Sequence, residues 1–322
     1  MKPRICVLTD ISDLADVLSE LSAVGELHFA YDLPEVGIVR EIEAADYIFT
    51  NPNKATVFLG EEVLAKAEKL KAICSASTGL THIDLGYCAA RGVPVISIRN
   101  DRSFLEELPS TAELALTLTL MGLRNIRGGL MAVNSGNWDY RPLIGSQFRG
   151  QSVGVIGLGR LGSMYASFAA ALGASVSYVD PNVDHSGYAR FDKIHELFEE
   201  CRVISIHAHA EPQLPPLVDR KVLSIARPNM ILVNTARGEV VDEEAVLEFL
   251  SKNSASQYLA DVLRQEERLT ESSVYQRFLT SHQVTLTPHV GGMTFEGQTK
   301  AYMRAAKKLA DWIRTEGEEA SF

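Results

Sequence analysis

Residues 153–162 read VGVIGLGRLG. A short apolar run, 153–156, leads straight into Gly157-Leu158-Gly159-Arg160-Leu161-Gly162. This is a GxGxxG placed where a strand ends and a helix begins. Gly157 allows the tight turn, Gly159 lets the backbone approach a pyrophosphate, and Gly162 lets the helix pack close to the strand. The first N–H groups of such a helix have no partner within it and carry the positive end of its dipole, so they form an anion site. Few folds accommodate this arrangement other than a parallel sheet wound with helices.

The neighbouring sequence strengthens the reading. A helix-like stretch, 163–172, ends at Gly173, and a second strand-like stretch, 174–179, ends in Asp180. An acidic residue about 20 positions beyond the glycines is placed to accept hydrogen bonds from an adenosine ribose. The same carboxylate repels a 2′-phosphate, which favours NAD over NADP. The plainer alternative for Asp180 is a solvated turn residue before Pro181.

Strand-like and helix-like stretches alternate along all 322 residues, which predicts α/β architecture with parallel sheets. A chain of this length predicts two domains. Stretches 4–8, 45–50, 71–75 and 93–98 read as strands and 14–21 as a helix, giving a first unit that closes near residue 100. A long apolar helix follows over 110–124, STAELALTLTLMGLR, with Ser110 or Thr111 as its cap and Glu113 in its first turn. A second helical piece runs to about residue 133. Its apolarity points to burial against another domain or subunit, with ordinary core packing as the alternative. Further strands are expected over 203–207, 230–234, 257–261 and 284–287. A closing helix over 294–314 returns to the first unit, and a polar tail from Glu316 is expected to fray.

Composition narrows the classes. Hydrophobic content of 46% and charged content of 22% are those of an ordinary globular chain. A net charge of −10 gives no reason to expect nucleic acid or an anionic membrane as partner. No apolar run reaches the roughly 18 residues of a membrane span, and the N-terminus lacks a signal-peptide layout. Cys6, Cys74, Cys88 and Cys201 have no CxxC spacing and read as buried thiols in a reducing, cytoplasmic compartment.

Three later features fit one reaction. Arg237, in NTARG, follows the strand 230–233 at the sheet edge where open α/β folds place ligands; alone it reads equally well as a surface ion-pair partner. Glu266 lies in the charged run RQEER, where a lone glutamate is most simply a solvated residue. His289, in TPHVGG, follows a strand and precedes two glycines. Together they supply a cation for a carboxylate, a group to exchange a hydroxyl proton and a carboxylate to orient the imidazole and raise its pKa. A nicotinamide would supply the redox chemistry. His207 and His209 are two apart on a strand, but no third ligand with suitable spacing accompanies them, and no metal is expected.

These segments together resemble the D-isomer-specific 2-hydroxyacid dehydrogenase family: VGVIGLGRLG, VNTARGEVVDEEAV (233–246), DVLRQEE (261–267), TPHVGGMTFE (287–296), STGLTHIDL (77–85) and TAELALTL (111–118). The resemblance implies a Rossmann cofactor domain, 101–288, inserted into a flavodoxin-like substrate domain, 1–100 plus 289–322. It implies a substrate cleft between them with hinges near 100 and 288. It assigns Arg237, Glu266 and His289 as the catalytic trio. The cofactor shell it implies comprises Thr78, Gly157, Gly159, Arg160, Leu161, Gly162, Asp180, Thr235, Ala236, Arg237, Asp261, His289, Gly291 and Gly292. For a small 2-hydroxy or 2-keto acid it points to Ser77, Thr78, Gly79 and Arg237. Lys54 is a candidate for a second anionic group, although surface solvation is its simpler reading. A homodimer built on the 110–135 helical region is expected.

The ordering is most similar to phosphoglycerate-dehydrogenase-like members, and a member without a C-terminal regulatory domain is expected. Departures from the family pattern fall after Glu266, where Glu267 replaces the usual proline, and in 207–219, where extra prolines are expected to alter the adenine-side rim. Two alternatives stay open. One is an NAD(H)-sensing, corepressor-like binding protein. The other is an NADPH-linked glyoxylate or hydroxypyruvate reductase.

Overall fold

The computed structural model describes residues 2–52, 57–185, 187–209 and 214–319. The chain forms two compact units. One takes the chain up to Leu108 and from Thr294 onward, and the other is Pro109–Met293.

In the first unit the chain runs β1 (Arg4–Val7), α1 (Ala15–Val24), β2 (Glu26–Phe29), α2 (Glu35–Glu43), β3 (Tyr47–Thr50), α3 (Glu61–Leu64), β4 (Ala72–Ser75), α4 (Leu85–Ala90), β5 (Val95–Ser97) and α5 (Arg102–Leu105). The strands form one parallel sheet in the order β2-β1-β3-β4-β5. That is the flavodoxin-like winding. β3 (YIFT) and β4 (AICS) are buried at every position because helices cover both faces.

The second unit opens with α6 (Ser110–Leu123) and α7 (Ile126–Asn134), then β6 (Ser152–Ile156), α8 (Arg160–Ala171), β7 (Ser175–Val179), β8 (Ala189–Arg190), α9 (Ile194–Glu200) and β9 (Val203–Ile206). It continues through α10 (Arg220–Ser224), β10 (Ile231–Asn234), α11 (Glu243–Lys252), β11 (Gln257–Ala260), α12 (Ser273–Thr280) and β12 (Val284–Leu286). Its seven strands are parallel in the order β12-β11-β10-β9-β6-β7-β8. The winding direction reverses between β6 and β9, and the glycine turn leaves β6 at that switch point. Two apolar clusters cover the faces of this sheet, one including Leu232, Phe249 and Phe278, the other Val155, Tyr165 and Val233.

α13 (Phe295–Glu319) returns to the first unit. Tyr302, Ala305, Ala306 and Leu309 join its core. Tyr302 Oη and Thr9 Oγ1 are 2.8 Å apart, and Arg304 Nε donates to Asp101 Oδ2 at 2.5 Å.

Several details depart from expectation, each for a local reason. Residues 101–108 stay with the first unit because Leu105 is buried in its core and Leu108 packs against it. Residues 289–293 stay with the second because His289, Val290 and Gly291 hydrogen-bond to Asp261. Neither Ser110 nor Thr111 caps α6, whose N-cap position is Pro109. The break before α7 falls at Asn125, which adopts a left-handed conformation (φ 48°). The closing helix runs on to Glu319, past the residue where fraying was expected. No helix among the described residues is long and apolar enough to cross a membrane.

Candidate active site

The glycine turn is built as its sequence demands. Gly157 has φ +87°, and a Cβ there would fall 2.9 Å from the Ala208 nitrogen. A Cβ on Gly162 would lie 2.0 Å from the Gly157 carbonyl oxygen, so α8 packs directly on the turn. Gly159 is different: a Cβ on it meets nothing within 4 Å. It is the N-cap residue of α8 and offers no side-chain cap, so the approach to the helix start, ahead of Arg160 and Leu161, is open at Gly159. Asp180 closes β7. Its Oδ2 accepts the Leu158 N–H at 2.7 Å and its Oδ1 accepts those of Asn182 and Val183 at 2.8 and 3.0 Å. Each carboxylate oxygen has two lone pairs, so one acceptor site remains, on Oδ2, for a ribose hydroxyl. Thr235, just beyond β10, is buried, and its Oγ1 has no hydrogen-bond partner. The open helix start, the pinned carboxylate and the orphaned hydroxyl all fit a bound dinucleotide.

A second constellation occupies the carboxyl ends of β10, β11 and β12. Asn234 shapes the first turn: its Oδ1 accepts the Ala236 N–H at 3.0 Å and its Nδ2 donates to the Arg237 carbonyl at 2.8 Å. The Arg237 guanidinium lies back on the Ala236 carbonyl at 2.7 Å. Asp261, only 2% exposed, organises the next turn. Its Oδ1 accepts the Thr287 hydroxyl at 2.5 Å and the Val290 N–H at 2.8 Å, and its Oδ2 accepts the Gly291 N–H at 2.8 Å. Burial raises the Asp261 pKa, and these hydrogen bonds oppose the rise. The bonds hold His289 in a left-handed conformation (φ 53°) that a residue with a side chain rarely adopts. Gly292, next along, faces open space.

His289 Nδ1 lies 2.7 Å from Glu266 Oε2. Glu266 Oε1 accepts the Leu263 N–H at 3.1 Å, so both oxygens of this carboxylate are engaged. The Glu266 hydrogen bond lifts the imidazole pKa above its ordinary value. Desolvation opposes the rise, the charges of Glu266 and Asp261 add to it, and the nearby Arg237 charge lowers it again. The structure therefore brings Glu266, His289 and Arg237 into one electrostatic neighbourhood. After Glu266 the chain forms a 3-10 turn, Glu266–Glu271, entered through Gln265 at φ 53°.

Other expected site residues lie elsewhere. Ser77, Thr78 and Gly79 follow β4 in the first unit. Ser77 Oγ donates to the Gly79 carbonyl at 2.5 Å, and Thr78 is exposed. Behind them His82 is buried, with Nε2 3.4 Å from Ser75 Oγ, and burial pushes its pKa down to about 4. His207 Nε2 is 2.8 Å from Ser205 Oγ, and burial lowers that imidazole to about 3. Among the described residues no group of three His, Cys, Asp or Glu side chains could hold a metal. Lys54 and part of the proline-rich segment, 210–213, lie outside the described residues. Sequence reading passed over His82 and Glu243. The signal for Glu243 was its place in VVDEEAV, right after the arginine turn.

A seven-stranded parallel sheet wound in this order, with a glycine turn at the switch point and an acidic residue after β7, defines a Rossmann dinucleotide-binding protein. The family model for the D-isomer specific 2-hydroxyacid dehydrogenase NAD binding domain matches residues 116–291, and the chain belongs to that family. It is 29% identical over 306 residues to a D-3-phosphoglycerate dehydrogenase of Methanocaldococcus jannaschii, covering 94% of this chain and 56% of that protein. The chain thus spans about half the length of the phosphoglycerate dehydrogenases it matches. A glyoxylate reductase of Thermococcus litoralis is 28% identical over 331 residues, with 98% and 95% covered. The structure of an Aquifex aeolicus D-lactate dehydrogenase, solved with NAD and lactic acid, superposes with a TM-score of 0.81 at 24% identity, covering 98% of this chain and 96% of that one.

Proposed function

We propose that this chain is an NAD-dependent oxidoreductase that interconverts a D-2-hydroxy acid and its 2-keto acid. The observation that carries the reading is the Glu266–His289 pair, set at the sheet edge within reach of the Arg237 charge and in the same unit as the dinucleotide turn. Arg237 binds the substrate carboxylate through charge-assisted hydrogen bonds. With Nδ1 turned to Glu266, His289 exchanges the hydroxyl proton through Nε2: it accepts that proton in oxidation and donates it in reduction. Glu266 holds the ring and stabilises its charged form. NAD, when bound, supplies the hydride acceptor at the substrate's C2. The backbone at 77–79 is expected to meet the same carboxylate, and Lys54 is the candidate for a second anionic group.

The test is turnover of a panel of 2-keto acids with NADH and with NADPH. Reduction of at least one acid with NADH is expected. A protein that binds NADH yet reduces none of them would instead be a dinucleotide-sensing binding protein.

The pinned Asp180 carboxylate supports NAD over NADP. Asp180→Ala is expected to narrow the ratio of NADH to NADPH kcat/KM by about tenfold, the equivalent of about 1.4 kcal/mol. An unchanged ratio would remove Asp180 from cofactor selection.

We further infer a homodimer built on the 110–135 region. Ile126, Leu130 and Met131 on α7 are exposed, as are Trp138 (87%), Tyr140 and Ile144 in the loop that follows. A monomer rarely shows water so large an apolar set. Sedimentation should give a dimer, and Leu130→Asp with Met131→Asp should shift it to monomer. The four free, buried thiols support a reducing compartment such as the cytoplasm.

A further inference from the structure

Acidic residues in the first turn of a helix usually favour the dipole from an exposed position. Glu244 does so on α11, and it also accepts a hydrogen bond from Arg277 at 2.7 Å. Its neighbour Glu243 does not: it is 8% exposed, and its Oε1 accepts the Arg264 N–H at 2.8 Å.

The peptide carrying that N–H lies directly on Gly238, the residue after Arg237. A Cβ on Gly238 would fall 2.0 Å from the Leu263 carbonyl carbon and 2.2 Å from the Arg264 nitrogen. The preceding N–H, that of Leu263, goes to Glu266 Oε1. Two consecutive amides are thus held by two carboxylates, one from α11 and one from the turn itself. Between Arg264 and Glu266 stands Gln265 at φ 53°, a conformation that persists only where its surroundings enforce it.

We propose that Glu243 is a positioning residue for the Glu266–His289 pair: by gripping the Arg264 amide it seats the 263–266 turn on Gly238 and so sets the Glu266 carboxylate against the imidazole. The pair's catalytic role rests on the dehydrogenase reading above, whereas the positioning does not. Burial lifts the Glu243 pKa to about 7. The Arg264 amide and side-chain charge oppose the rise, and Glu239 and Glu266 add to it. Tyr258, on β11, also faces it.

The test is an NMR titration of the His289 imidazole in the full chain, which needs no turnover. Asp261 and Arg237 are the other charges that reach this ring besides Glu266. Glu243→Gln and Glu243→Ala remove the same charge, so the difference between them is not a charge effect. In Glu243→Gln, whose amide oxygen still accepts from Arg264, His289 should keep its raised pKa. In Glu243→Ala it should fall toward the ordinary value of about 6.5. Glu243→Thr, also too short to reach, should match alanine and serves if the alanine variant does not fold. On a keto acid the wild type reduces, kcat should drop about tenfold in the short variants at unchanged NADH affinity, and glutamine should restore it.

Identical His289 titrations in the glutamine and short variants would overturn the proposal. Loss of the raised pKa in Glu266→Gln alone would keep the pair and discard Glu243. A wild type that shows the raised pKa but reduces no keto acid would discard the enzyme reading and leave the positioning intact.

Discussion

Replacing His289 with alanine is expected to lower kcat for any keto acid this protein reduces by about 10²–10⁴-fold, the usual contribution of a positioned proton donor. NADH affinity, read by fluorescence titration, should stay within about threefold, because the glycine turn and Asp180 are untouched. Glu266→Gln should act through pH. The Glu266 hydrogen bond is the largest cause of the raised His289 pKa. On the proposed reading reduction needs the imidazolium, so its rate is full below the raised pKa and falls as pH rises through it. The glutamine variant loses the raising partner, and that falling limb should move to lower pH. Oxidation needs the neutral ring, so its rising limb should move to lower pH as well. Profiles measured in both directions check the sign. Limbs that stay in place, with kcat intact, would leave the pair no part in proton transfer.

The second large effect is expected at Gly238. Its missing side chain leaves room for the Leu263–Arg264 peptide, and the atoms a Cβ would strike are backbone, with no flexible tip to swing aside. Gly238→Ala must therefore push the 263–266 turn outward. Overpacking of this kind costs about 1–3 kcal/mol, which at roughly 2–4 °C per kcal/mol predicts a fall in Tm of about 2–12 °C. Turnover should suffer more than stability, because a shift of about 1 Å in catalytic geometry costs on the order of 10²-fold. Gly292→Ala is the matched control for stability. A Cβ there meets nothing within 4 Å, so Tm should hold. Equal Tm values for the two variants would show that the turn yields easily and carries no fixed geometry.

Much of this architecture was legible because it rests on local physics. The strands buried on both faces, such as ILVN and VISI, advertise themselves as continuous apolar runs. The glycine turn was legible because each glycine answers a separate steric demand. The edge strand β2 was not. Its sequence, ELHF, is polar at two of four positions and half-exposed, so no apolar run marks it. α2 was hidden by its short span and by Gly37. Glu266 illustrates a different limit. Within RQEER it looks like a solvated charge, and its partner lies 23 positions away. It is legible only in combination with Arg237 and His289 and through the family resemblance, and the fold supplies the contact by bringing the ends of β11 and β12 side by side. Glu243 was hidden for the converse reason, since an acidic residue at a helix start already has an ordinary explanation.

The Asp261 carboxylate ties three donors beyond β12 to the end of β11 before any ligand arrives. The turn bearing the imidazole is thereby fixed within the unit that also carries the glycine turn, whereas residues 77–79 belong to the other block. On the proposed reading, a lineage could drift from one acid to another by editing loops of the second block, without rebuilding the machinery that moves the proton.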